Sequence, residues 1–213
     1  QRRTGQKNLC LAGGVALNCV MNSAVYDAGV FERVYVQPAA GDAGGAIGAA
    51  YDVYHRVLGR PRSYVMETAN LGPEYTNDQI EQELRMSKVR YRRLDDTCAQ
   101  TARLLAEGKI VGWFQGRMEF GPRALGGRSI LADPTNPRMK DLINTFVKHR
   151  EEFRPFAPSC LEERAPEYFE GCRYSPFMLF VYRVKPEMRA KVPAITHVDG
   201  TARVQTVSRE IDP

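Results

Sequence analysis

Over the first 58 residues an apolar run stops at paired glycines, a helical stretch follows, and then a second apolar run and a second small-residue loop. This order admits few folds. Residues 8–12 (NLCLA), closed by Gly13-Gly14, have the pattern of a buried parallel strand entering a tight turn. Over 15–28, Val15, Leu17, Val20, Met21, Ala24 and Val25 recur at helical spacing, and Gly29 supplies the stop. Residues 33–37 (RVYVQ) predict a second strand, and the loop PAAGDAGG leads into a helix over 43–58. A β-α-β-α unit of this kind makes its strands parallel. Two parallel strands with two helices cannot cover both faces of a sheet, so the rest of that domain is expected upstream of Gln1. The chain opens at Gln1 without an initiating Met, in a polar run that reads as a helix tail, and ends at Pro213 after a strand-like alternation. It reads as a piece of a longer protein.

Residues 59–75 carry two prolines and two glycines without periodicity and read as an interdomain linker. A second domain opens on Thr76-Asn77-Asp78-Gln79, a capping box. Strands are expected at 89–93, 110–114, 129–132, 177–184 and 202–207, with helices after Thr76, at 96–106 and at 137–148. The alternation makes this an α/β domain. No internal repeat and no low-complexity tract is visible.

The length allows one or two domains, and a net charge of +5 is only mildly basic, which favours a small anionic substrate over a nucleic-acid groove. Cys10, Cys19, Cys98, Cys160 and Cys172 form no C-x-x-C pair and sit in apolar surroundings, as buried reduced thiols would. No apolar stretch approaches membrane-spanning length and no signal peptide is visible, so a cytoplasmic protein without membrane contact is expected. A homo-oligomer is compatible with the chain.

Two stretches carry the chemistry: 115–129 (QGRMEFGPRALGGRS) and 148–158 (KHREEFRPFAP). Between them they set guanidinium groups among glycines and prolines, an arrangement suited to a compact, multiply charged anion such as phosphate. Arginine offers a rigid fork of donors that matches phosphate oxygens, and Gly121, Gly126 and Gly127 permit close backbone approach. Glu119 reads as a residue that orients an arginine. In the second stretch Lys148 and Arg150 follow a helix, where cations are unremarkable. Arg154, locked between Phe153 and Phe156 by Pro155 and Pro158, needs a partner. The Gly13-Gly14 and Gly41-Asp42-Ala43-Gly44-Gly45 loops each lie between a strand and a helix, where phosphates gather. Asn18, one turn past Gly14, can reach the same crevice. Asp42 is either a helix N-cap or a carboxylate aimed at a metal or hydroxyl. His55 reads as surface or core, His149 as added charge, and Arg203 is undecided on the residues alone. No phosphate-loop, zinc-protease or zinc-finger signature is present.

At these residues the chain resembles the NodU/CmcH-type carbamoyltransferases. The matching segments are Gly13 to Asn18, Pro38 to Ala46, Gly116 to Ser129 and Phe153 to Ser159. The resemblance covers nearly the whole chain, and the run Gly-Arg-Met-Glu-Phe-Gly-Pro-Arg-Ala-Leu-Gly is its most specific part. It implies that residues 1–68 close an actin/hexokinase-like (ASKHA) domain and that 69–213 form most of a YrdC-like α/β domain. Such enzymes make carbamoyl-adenylate from carbamoyl phosphate and ATP, then pass the carbamoyl group to a hydroxyl of a small-molecule acceptor (an antibiotic, sugar or nodulation factor). By position, Arg123, Lys148 and Arg154 take catalytic places on the phosphates, with Arg203 beside them and Arg117, Arg128 and Arg150 as adjacent ligands. Gly13, Gly14 and Asn18 become nucleotide contacts. Asp42 becomes a ligand to a divalent metal, commonly iron, while Mg2+ accompanies ATP. The family's paired histidines and an Asn-Thr-Ser-Phe-Asn segment are absent from this sequence.

The rival reading is a tRNA- or double-stranded-RNA-binding module, or one like the threonylcarbamoyl-adenylate synthases, with aromatics such as Tyr91, Trp113 and Phe153 among cations. Against it, the arginines are fixed by glycine and proline, and no Lys/Arg stripe runs along a helix. A hydrogenase-maturation carbamoyltransferase would need zinc-finger cysteines that the sequence lacks.

Overall fold

The computed structural model describes residues 2–172 and 174–211. Gln1, Arg173, Asp212 and Pro213, including both ends of the expected domains, lie outside the described residues. The opening unit forms as the sequence dictates. Strand β1 (Asn8–Leu11) pairs in parallel with β2 (Arg33–Val36), with Asn8 opposite Arg33 and Leu11 opposite Val36. The helix expected over 15–28 is interrupted. A 3-10 turn, Gly14–Leu17, precedes helix α1 (Cys19–Asp27), and Asn18 between them is extended, with φ −79° and ψ 96°. Its side-chain oxygen accepts from the amides of Val20 and Met21, both at 3.1 Å. Asparagine offers a cap that competes with helix continuation, and here the cap wins. Helix α2 (Gly44–Tyr51) closes in a π-helical stretch, Asp52–Val57.

The segment read as an interdomain linker makes backbone hydrogen bonds with the later chain. The amide of Gly72 donates to the Met118 carbonyl at 2.8 Å, that of Met118 to Pro73 at 3.0 Å, and that of Phe120 to Ala69 at 2.6 Å. Ala69 is buried in an apolar cluster with Ala16, Val36 and Leu125. Helix α3 (Asn77–Met86) opens on the expected capping box, with Gln79 N on Thr76 Oγ1 at 3.3 Å and Thr76 N on Gln79 Oε1 at 2.8 Å. Residues 89–93 form no strand and are exposed throughout: VRYRR offers no apolar face to bury. Helix α4 (Thr97–Ala106) is capped by Asp96.

Strand β3 (Val111–Phe114) pairs antiparallel with β4 (Arg128–Leu131), and the first arginine-rich stretch forms the connection between them. Helix α5 (Met139–Leu142) starts slightly later than expected and runs on as a π-helical stretch, Ile143–Lys148. Beyond it lie β5 (Ser159–Leu161), α6 (Ala165–Tyr168), β6 (Tyr182–Arg183), α7 (Pro186–Arg189), β7 (Thr201–Ala202) and β8 (Gln205–Val207). β5 pairs in parallel with β8, and β6 antiparallel with β7. The strand expected over 177–184 survives only as β6. Phe177, Met178 and Leu179 are buried, but as core filling in an irregular segment. The strand expected over 202–207 is broken in two at Arg203. Among the described residues the strands make four two-stranded sheets in a mixed α/β chain.

One apolar cluster joins the opening unit to the later chain through Ala16, Val36, Ala40, Ala69, Leu125 and Phe177 to Leu179. Asn22, 0% exposed, crosses the same junction: its Nδ2 donates to the carbonyls of Ala16 at 2.8 Å and Leu179 at 3.0 Å. Ser23 exchanges hydrogen bonds with both backbone groups of Val181. All five cysteines are free thiols, yet only Cys172 is buried, and burial pushes its thiol up to about 12. Cys10 and Cys98 are exposed, against the expectation of five buried thiols. Among the described residues no helix is long and apolar enough to cross a membrane.

Asn22→Ala removes the side-chain donors of two buried carbonyls at this junction. We expect a loss of about 1–3 kcal/mol of unfolding free energy, read from the urea midpoint. An unchanged midpoint would contradict the role given to this amide.

Candidate functional site

The connection from β3 to β4 is built around one carboxylate. Glu119 is 6% exposed. Its Oε1 accepts from the amides of Leu125 at 2.7 Å, Gly127 at 2.8 Å and Arg128 at 3.2 Å, and its Oε2 meets Arg128 Nε at 3.3 Å. Burial alone raises its pKa. The amides of Leu125, Glu119 itself, Gly127 and Arg128 lower it by more, so the carboxyl stays ionised below its ordinary range. A carboxylate held this way is a poor base and a good anchor. The close packing also explains two glycines. A Cβ on Gly127 would stand 2.7 Å from the Arg117 carbonyl oxygen, and Gly121, at φ 128°, would place one 3.1 Å from that of Pro38.

The loop so anchored delivers Arg123 to a cavity of about 280 Å³ that is also lined by Lys148, Arg150 and Arg203, with no Asp or Glu among the described residues of its wall. Arg123 Nη2 donates to the Leu17 carbonyl at 3.1 Å, so the 3-10 turn of the opening unit steadies this guanidinium. The Nε atoms of Arg123 and Arg203 are buried without a hydrogen-bond partner. Burial lowers the Arg203 pKa, and the neighbouring Arg123 and Arg150 lower it further, partly countered by a hydrogen bond with the Cys19 thiol. Like charges are thus held side by side and under-satisfied, a state that an anion would relieve.

The second basic stretch is arranged by a residue the sequence reading passed over. Asn144, 0% exposed, lies in the π-helical stretch. Its Oδ1 accepts from Arg150 Nε at 2.7 Å, and its Nδ2 donates to the carbonyls of Glu152 at 3.2 Å and Arg154 at 2.9 Å. Arg150 lies 4.9 Å over the Phe156 ring. The chain leaves the helix through His149, a left-handed residue at φ 48°. The signal in the sequence was an amide within a turn that also carries the core residues Met139 and Ile143.

The structure brings together Arg123, Lys148, Arg150 and Arg203, and sets the other expected residues apart from their cavity. Arg154 turns away: its Nε pairs with Glu151 at 2.7 Å, and Phe153, expected to enclose it, is 75% exposed. Arg117 pairs with Glu74 and Arg128 with Glu119. Gly13 and Gly14 are exposed, and Gly13 N donates to the Ala40 carbonyl at 2.7 Å, so the two glycine-rich loops lie side by side. Asn18 spends its oxygen on the α1 cap. Asp42 is exposed, and the cap position of α2 falls on Ala43 without a side-chain bond, so Asp42 is no N-cap. Among the described residues no group of three His, Cys, Asp or Glu is placed to hold a metal. Asp42 is one ligand at most, so these residues do not fit a resident metal, and no step is derived through one.

Comparison with known proteins bears on this geometry. Residues 102–213 match the family "Carbamoyltransferase C-terminus", and residues 1–51 match "Carbamoyltransferase N-terminus". The chain is 50% identical to nodulation protein NolO of Bradyrhizobium diazoefficiens, over 100% of this chain and 40% of that protein. It is 43% identical to nodulation protein U of Rhizobium tropici, over 96% of this chain and 34% of that one. It is also 48% identical to an uncharacterized protein of Synechocystis, over 98% of this chain and 38% of that one. The chain thus spans between 34% and 40% of the length of these relatives.

The anchoring carboxylate has a pH signature. Because the Glu119 pKa is lowered on folding, its contribution to stability is fully present above the unfolded carboxyl pKa of about 4.3. That contribution fades as pH falls toward the folded value. Glu119→Gln should destabilise the protein at pH 7 and narrow its stability gap to the unmutated chain in acid, read from urea midpoints at pH 7 and pH 4. A gap that widens in acid would reverse the assignment.

Proposed function

The chain belongs to the carbamoyltransferase family, and we propose that it supplies the phosphate-holding centre of an ATP-dependent carbamoyltransferase. One observation carries this reading: four cationic side chains line one cavity with no carboxylate among its described lining residues, and two of their Nε atoms are buried without a hydrogen-bond partner among the described residues. In this proposal residues 69–213 belong to a YrdC-like domain that makes carbamoyl-adenylate, and residues 1–68 close an ASKHA-type domain that passes the carbamoyl group on. The acceptor is a hydroxyl of a small molecule.

The chemistry follows from charge. Carbamoyl phosphate and ATP repel one another, and fixed cations in a partly dry cavity offset that repulsion more strongly than they would in water. Arg123 and Arg203, side by side, are suited to bridging phosphoryl oxygens of the two reactants, and Arg150 and Lys148 line the same cavity. Carbamoyl phosphate loses its phosphate to water and leaves carbamate. A carbamate oxygen then attacks the α-phosphorus of ATP, and pyrophosphate departs with its negative charge stabilised by the same groups. An acceptor hydroxyl next attacks the carbamoyl carbon and releases AMP. Holding carbamate against the α-phosphate can contribute roughly 7–11 kcal/mol through positioning. Gly13, Gly14 and Asn18 are assigned to nucleotide contacts of the neighbouring ASKHA-type domain, consistent with their place outside the cationic cavity. A metal role for Asp42 needs further ligands from outside the described residues.

In the full-length protein, Arg123→Ala, Lys148→Ala and Arg203→Ala should each lower carbamoyl-phosphate-dependent ATP–pyrophosphate exchange by ~100-fold or more, the loss typical of removing one charge-stabilising donor. Arg154→Ala, whose guanidinium rests on Glu151, should cost far less. Unchanged exchange in the Arg123 and Lys148 variants would remove the assignment.

A further inference from the structure

Within the cationic cavity Arg150 is the cation aimed by a buried side-chain amide. Among the described residues its guanidinium forms no salt bridge, with Glu151 felt only at longer range, and its direction is set by two uncharged contacts, the Asn144 amide oxygen at 2.7 Å and the Phe156 ring at 4.9 Å. Asn144 itself has no route to solvent, and both ends of its amide are used. The oxygen takes the Arg150 Nε–H, and the nitrogen ties down the carbonyls of Glu152 and Arg154. Its backbone carbonyl accepts in addition from the amides of His149 and Arg150, the latter at 3.0 Å. Lys140 Nζ grips the Glu152 carbonyl as well, at 2.8 Å. The turn from 149 to 154 is therefore folded around a single buried amide.

A π-helical stretch that ends on a left-handed non-glycine residue costs stability, and the fully hydrogen-bonded Asn144 amide holds it in place. Such costs cluster where geometry is being enforced for a purpose. A glutamate or aspartate in place of Asn144 would hold Arg150 more strongly, but it would neutralise the cation that the cavity presents. An amide orients the guanidinium and leaves its charge unspent.

We propose that Asn144 is a positioning residue for the anion site, aiming Arg150 into the cavity while leaving its positive charge free for a phosphoryl group. The proposal rests on the phosphate-holding role given above for the cavity, and its test separates the two. With pyrophosphate as probe and calorimetry on the full-length protein, Asn144→Ala and Arg150→Ala should each weaken binding by ~10-fold to ~100-fold, the range for hydrogen bonds to charged groups. The double variant should bind no more weakly than Arg150→Ala alone. A purely structural Asn144 would instead give losses that multiply. A folded Asn144→Ala protein with unaltered pyrophosphate affinity would overturn the proposal outright. Should Asn144→Ala fail to fold, the unmutated protein decides. By 15N NMR the Arg150 Nε–H, assigned by its loss in Arg150→Lys, should exchange much more slowly than those of the exposed Arg90, Arg92 and Arg93. Equal exchange would sink the idea. If the pyrophosphate cycle behaves as expected but the unmutated protein shows no carbamoyl-phosphate-dependent exchange, the carbamoyl chemistry fails and the positioning role of Asn144 stands.

Discussion

Three guanidinium groups and an ammonium share a cavity with no carboxylate among its described lining residues, and the mutual repulsion of the arginines is the constraint that the surrounding structure answers. The answer is mechanical. Glu119 gathers three backbone amides and the Arg128 guanidinium, and so fixes the loop that carries Arg123. Asn144 performs the corresponding task for the loop that carries Arg150. Neither anchor lines the cavity, so the loops are held without neutralising the groups that face inward. The Leu17 carbonyl completes the arrangement from the opening unit, as a third support.

What the sequence made legible was mostly local. The parallel pair β1 and β2, the capping box at Thr76 and the helix expected at 96–106 depend on residues close in the chain, and the patterns that encode them are strong. The failures came where local pattern competed with tertiary context. VRYRR alternates weakly but has nowhere to bury, and no strand forms. FMLFVYRV is apolar enough for a strand, yet Phe177 to Leu179 fill the core cluster beside Ala16 and Leu125 without joining a ladder. The extended break at Asn18 was hidden because apolar residues recur on both sides of it.

At the site, the loops and three of the four cavity cations were legible as a basic, glycine-braced group, and Arg203 was placed with them by family resemblance. The aim of individual side chains was not. Arg150 and Arg154 look equivalent in sequence, and Pro155 and the flanking phenylalanines favoured Arg154. The outcome turns on Asn144, which binds the Arg150 Nε and the Arg154 carbonyl, so that the first guanidinium faces inward and the second is left to Glu151. A buried amide some residues away in the chain carries no motif that announces such a choice.

The seam between the opening unit and the later chain is keyed at several points: Asn22 on Leu179, Ser23 on Val181, Arg123 on Leu17, and Gly121 against Pro38. These pairs lie on opposite sides of the boundary between the two matched family segments. Chimeras that splice one relative's first segment onto another's second would therefore have to transplant both halves of each key together. A junction chosen by sequence length alone would cut through a lock whose bolt is the very arginine that serves the cavity.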